Sequence, residues 1–159
     1  MGKLKLTIHP LFFIFGLYFA ILGKVFSFLI FTLTAIIHEL GHAFISDRLG
    51  YTLNRIVLMP YGALISGDIE NISYKDELLV ALGGPFINAV IGVFFVAVWW
   101  FFPDAYAYTD TAVFACFSLA VINLIPAYPL DGGRILLATL SLIVSRKTAL
   151  KITKWVAVV

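Results

Sequence analysis

A chain of 159 residues that is 62% hydrophobic and 13% charged, with a mean hydropathy of +1.02, lies far from the soluble norm of about 45–50% apolar and about 25% charged. That excludes an ordinary water-soluble globule, and the length leaves room for one compact bundle without a second large domain. The net charge of +2 is too small for a nucleic-acid partner, and the lone Cys116 excludes a disulfide framework or a cysteine-based zinc site.

The opening MGKLKLTIHP sets Lys3 and Lys5 before an apolar run, as a signal peptide does. No small-x-small site closes that run, however, and Lys24 follows it, so the segment reads as a retained helix over residues 10–23. It is short against the roughly 20 residues a crossing needs, and would have to draw in flanking residues such as Ile8. A second apolar segment covers residues 25–45. The third, 78–102, ends in WWFF, an aromatic anchor for a membrane interface. The fourth, 111–144, is too long for one simple crossing and is interrupted by Pro126 and Pro129.

Between the second and third segments, NRIVLM and ALISGDIE flank a Pro60-Tyr61-Gly62 turn and predict two strands. Backbone at membrane depth must be paired or buried in protein, so a hairpin over the mouth of the bundle is expected. The expected fold is thus membrane all-α: a polytopic helical bundle of about four transmembrane segments, with a small β-hairpin between the second and third. The closing KITKWVAVV reads like a further membrane helix just beginning. Residues 1–159 therefore read as a single core, truncated from a longer chain.

Loop charge predicts the orientation. With the N-terminus cytoplasmic, that side holds Lys3, Lys5, Arg48, Arg55, Lys75, Arg146, Lys147, Lys151 and Lys154, while Lys24, Asp104 and Asp110 face the other way. The expected location is a cell membrane, multi-pass, with the candidate site toward the cytoplasmic side.

That site begins with HELGH in the second segment. His38 and His42 are four apart, about 40° around a helix, so their rings project to one side and reach a single ion. Glu39 lies on an adjacent face, where it serves as a base without taking a coordination position. This is the H-E-x-x-H arrangement of two zinc ligands and a general base. A chance match, with histidines merely packed in a bundle, is the competing reading. It is disfavoured because ionisable groups at membrane depth cost about 2.5–3.5 kcal/mol on insertion scales.

Catalytic zinc needs a third protein ligand. Of nine acids, only Asp131, in VINLIPAYPLDGGRIL, remains inside an apolar segment once Glu39 is used. The alternative role for Asp131 is a helix cap. Gly132 and Gly133 would let backbone approach the metal or another helix closely. Asn123 could orient Asp131, hold a substrate backbone or bridge helices. Arg134 is expected to snorkel toward the interface rather than pair with Asp131.

HELGH, followed at a distance by NLIPAYPLDGG, which fits N-x-x-P-x-x-x-x-D-G, resembles the site-2 protease family of intramembrane zinc metalloproteases (peptidase M50). GGPFIN, with Gly84, Pro85 and Asn88, is similar to that family's G-P-x-x-N element. The His9-Pro10 pair, LMPYGALISGDIE and the short spacer without a PDZ insertion most resemble the sporulation stage IV FB branch, which processes pro-sigma-K. That branch's further helices and nucleotide-sensing CBS domain have no counterpart in these residues.

The resemblance implies Zn2+ as cofactor, His38, His42 and Asp131 as its ligands, Glu39 as catalytic base and Asn123 as a substrate-positioning residue. It implies a zinc metalloendopeptidase acting within the lipid bilayer on membrane-associated protein substrates. It says nothing of oligomeric state. Because a helical substrate hides its carbonyls, it would have to unwind, and the hairpin from Arg55 to Ile69 would take it as an added strand. Two rivals stand beside this reading. One is a catalytically silent membrane scaffold with a structural metal site, which has no use for Glu39. The other is a metal transporter, which would need successive polar sites across the membrane.

Overall fold

The computed structural model describes residues 5–8, 10–51, 53–59, 62–67 and 72–158. In chain order these form a strand β1 (Lys5–Ile8), helices α1 (Pro10–Ile21) and α2 (Val25–Arg48), and strands β2 (Leu53–Met59) and β3 (Gly62–Gly67). Helix α3 (Tyr74–Phe101) follows, then a one-turn 3-10 segment (Pro103–Ala105), α4 (Tyr106–Asn123), α5 (Asp131–Ser141) and α6 (Arg146–Val158).

Helix α3 is the centre of the bundle, with α2, α4 and α5 all packed on it. Its start is fixed by Ser73, whose side chain accepts from the Asp76 amide at 3.1 Å, satisfying one of the donors a helix N-terminus leaves over. Tyr51 donates to the Asp76 carboxylate at 2.7 Å and so ties the end of α2 to the start of α3. The core is made largely of small residues: Ala35, Ala81, Ala115, Cys116, Ala120 and Ala138 are buried. Lipid tails are as apolar as leucine, so tight backbone approach rather than expulsion from water must hold such helices together. The larger apolar side chains, among them Phe94, Trp100 and Phe101, face outward.

The expected bundle of about four transmembrane segments with a two-stranded hairpin needs correction on several points. The described residues form six α-helices, of which α2, α3 and the stretch Pro103–Asn123 are long and apolar enough to cross a membrane. The first segment is a helix of 12 residues, about 18 Å long, too short to span. It does not draw in Ile8, because residues 5–8 are taken into a strand. The fourth segment is two helices, since the stretch containing Pro126 and Pro129 cannot continue the α4 ladder.

The feature between α2 and α3 is likewise not a free hairpin. β2 pairs antiparallel with β3 and parallel with β1, giving a three-stranded mixed sheet in the order β1-β2-β3. A two-stranded ribbon is marginal alone and leaves both edges open. Here the N-terminal strand closes one edge and β3 lies beside α2. Both sides of β2 are therefore occupied, which removes one of the two edges the expected hairpin would have offered to an added strand. The turn at residues 60–61, and residues 68–71, lie outside the described residues.

Candidate metal centre

α2 and α3 run antiparallel, so the last turns of α2 face the first turns of α3. They touch where two glycines meet. A Cβ on Gly41 would strike the Gly83 carbonyl oxygen, and a Cβ on Gly83 would lie 2.7 Å from the Gly41 carbonyl oxygen. That close crossing brings His38 and His42, both buried, against the Val80–Asn88 stretch of α3. Their rings stand edge to face with centroids 4.9 Å apart.

The loop after α4 then folds back and delivers α5. Gly132 fits against the Leu124 and Ile125 carbonyl oxygens, with no room for a side chain. The close approach expected of this glycine is thus to its own preceding loop. Asp131, first residue of α5, is buried and points at both imidazoles: its Oδ2 lies 2.9 Å from His38 Nε2 and 3.1 Å from His42 Nε2. It does not cap the helix, because Leu130 holds the N-cap position and no side-chain cap bond is made.

These three side chains meet the requirements of a metal site on three independent counts. Their ligand atoms all lie within 4.8 Å of one another. Bonds of about 2.0–2.2 Å to a tetrahedral ion place ligand atoms about 3.3–3.5 Å apart, so an opening of a few tenths of an ångström would admit one. The open space is kept by Gly84: a Cβ there would collide with His42 Nε2 and lie 2.6 Å from His38 Nε2. Finally, His42 Nδ1–H donates to the Val80 carbonyl at 2.7 Å, which leaves the Nε2 lone pair for an ion.

Glu39 follows His38 on α2 and is half-buried, within electrostatic reach of the His42 imidazole. Asn123 ends α4 and is half-buried; its amide donates to the Leu119 carbonyl at 2.9 Å, one turn back. No contact joins it to the histidine–aspartate cluster among the hydrogen bonds of the described residues. Arg134 departs from expectation: it is half-buried and its Nη1 stands 3.6 Å from Asp131 Oδ1. That distance is an ion pair rather than a hydrogen bond, and it uses the oxygen that does not face the histidines. Pairing and ligation are therefore compatible.

Two contributors escaped the residue-by-residue reading. The Val80 carbonyl is backbone and leaves no trace in side-chain chemistry. Asn88 stands in the sequence only as part of the GGPFIN motif, yet it is fully buried with its amide 3.1 Å from His38 Nδ1. The signal available was a polar amide in an otherwise apolar helix.

Comparison with known proteins gives a consistent picture. The sequence profile of peptidase family M50 matches residues 26–112 and 104–159. A zinc metalloprotease from Methanocaldococcus jannaschii is 33% identical over 117 residues, covering 72% of this chain and 34% of that protein. Stage IV sporulation protein FB from Bacillus subtilis is 30% identical over 137 residues, covering 84% of this chain and 46% of the relative. This chain thus spans between a third and a half of the length of these relatives. Among solved structures, the site-2 protease from Methanocaldococcus jannaschii superimposes with a TM-score of 0.77 at 28% identity. That match covers 96% of this chain and 74% of the other.

Proposed function

The chain belongs to peptidase family M50, and on that footing we propose that it is an intramembrane zinc metalloprotease that hydrolyses peptide bonds of membrane-associated proteins. The observation that carries the reading is the convergence of Asp131 Oδ2 on both histidine Nε2 atoms, from residues 93 and 89 positions away in sequence. Neither a cap nor a packing role explains why a buried carboxylate should face two buried imidazoles.

In this reading His38, His42 and Asp131 hold the ion. A zinc ion held there would supply Lewis acidity toward a water and a peptide carbonyl. Glu39, beside His42 but outside the ligand set, accepts the proton of the attacking water and passes it to the leaving amine. Gly84 keeps the approach to the imidazoles free of side chain. Asn123, at the mouth of the loop that carries Asp131, is the proposed group for holding substrate backbone.

The site is proposed to open toward the cytoplasm, supported by the basic residues gathered at its end of the bundle: Arg48, Lys75, Arg134, Arg146, Lys147, Lys151 and Lys154. Regulated proteolysis in sporulation is the narrower reading, supported by likeness to the sporulation protein over most of the chain.

The test is Glu39→Gln, co-expressed with a tagged membrane substrate. Cleavage is expected to fall about 10²–10⁴-fold, the usual contribution of a positioned base, while purified protein keeps its zinc. Undiminished cleavage would remove Glu39 from the mechanism, and a wild-type protein that binds no zinc would remove the metal reading. The rival silent scaffold predicts no cleavage by either form. Glu39 beside His42 counts against it, because a structural metal has no need of a base.

A further inference from the structure

Asn88 sits in the middle of the apolar helix α3 with no exposed surface at all. Its Nδ2 lies 3.1 Å from His38 Nδ1, and its Oδ1 is the one buried side-chain polar atom without a partner among the described residues. A buried amide left half-satisfied is costly, so it calls for an explanation.

The explanation lies in which nitrogen of His38 carries the proton. With Nε2–H donating to Asp131, Nδ1 is an acceptor, and the amide offers it Nδ2 while Oδ1 is stranded. A neutral imidazole that gives its Nε2 lone pair to an ion carries its proton on Nδ1 instead. That proton needs an acceptor, and the only hydrogen-bond partner Nδ1 has among the described residues is the Asn88 amide. The two ends of an amide are interchangeable in shape. Turned over, Oδ1 accepts from Nδ1–H.

We infer that Asn88 is a positioning residue for the metal site: its side-chain carbonyl holds His38 in the tautomer that presents Nε2 to a divalent ion. The two histidines are then served alike. His42 is held by the Val80 carbonyl and His38 by the Asn88 carbonyl, both from α3. Second partners of this kind orient a ligand ring and raise its basicity. The inference rests on the metalloprotease reading only in requiring an ion between His38, His42 and Asp131.

The experiment is zinc affinity by chelator competition in detergent for the whole chain, wild type against Asn88→Leu and Asn88→Asp, with visible spectra of the cobalt-substituted forms. Leucine fills the space without an acceptor and is expected to bind zinc about 10–100-fold more weakly. Aspartate offers Nδ1–H a carboxylate and is expected to stay within a few-fold of wild type, with an unchanged cobalt spectrum. A residue that merely packs would give the reverse order, because a buried carboxylate disrupts an apolar core more than leucine does; that order overturns the inference. Equal affinity in all three overturns it too. If the leucine form does not fold, shown by apoprotein unfolding in EDTA, Asn88→Ala removes the acceptor without overpacking and carries the same comparison. Failure of the wild type to bind zinc would instead strike the metalloprotease reading.

Discussion

At the site, single atoms decide what the chemistry can be. The absence of a Cβ at Gly84 is one such decision, since the space beside both Nε2 atoms exists only because that atom is missing. Gly84→Ala is therefore expected to weaken zinc binding and cleavage together while leaving the helices intact. Zinc content of the purified protein, measured beside its far-ultraviolet dichroism, checks this; full zinc occupancy would show that the space is not needed. The division of labour at Asp131 is a second case. Its Oδ2 faces the imidazoles and its Oδ1 faces Arg134, so the carboxylate is held from two sides. The hydrogen-bond partners of His38 and His42 at Nδ1, the Asn88 amide and the Val80 carbonyl, both come from α3 and not from the helix that carries the histidines.

At the level of elements, the crossing of α2 and α3 governs the site. Gly41 and Gly83 let the two backbones approach until carbonyl oxygens stand where side chains normally would, the small-residue packing that membrane helices use in place of hydrophobic expulsion. Gly41→Ala should overpack this contact, at a cost of about 1–3 kcal/mol, and push the histidines away from Val80 and Asn88. A lowered midpoint of thermal unfolding in detergent, with a matching loss of zinc affinity, is the expected result. An unchanged midpoint would mean that the crossing tolerates a wider spacing. Elsewhere, α6 is tied back to the start of α3 by Arg146, whose guanidinium donates to both Glu77 oxygens at 2.8 and 3.3 Å and lies over the Tyr74 ring. The Arg146 side chain is 39% exposed, so this pair is partly screened by solvent. Nothing along the sequence marks Glu77 as the partner of a residue 69 positions away.

Across the whole molecule, charge is segregated. The end of α2, the start of α3, α5 and α6 carry seven of the ten described cations (Arg48, Lys75, Arg134, Arg146, Lys147, Lys151 and Lys154), while Lys24, Asp104 and Asp110 lie at the end away from the histidines. Trp99 donates to Thr109 at 2.7 Å at that far end, and Trp100, Phe101 and Phe102 project outward as an aromatic belt would. With Cys116 replaced by alanine, a single cysteine at Asp104 should be labelled by an impermeant maleimide on intact cells, and one at Lys147 only after permeabilisation. The opposite pattern would invert the proposed orientation.

The sequence by itself determined the elements that depend on local physics. Hydropathy marked the apolar segments, HELGH put two imidazoles on one face of one helix, and the scarcity of acids in apolar surroundings singled out Asp131. Prolines at 126 and 129 marked the break after α4. What only the tertiary structure decided were relations between distant segments. The third strand that closes the sheet comes from residues 5–8, and the first apolar segment is too short to span partly because its neighbour was recruited there. Asn88 meeting His38, Arg134 meeting the outer oxygen of Asp131, and the glycine crossing all follow from how α2, α3 and α5 pack. Periodicity and propensity are read from neighbours along the chain. A contact between residues fifty or ninety positions apart depends on backbone separations held to within a few tenths of an ångström, which only the packed molecule sets.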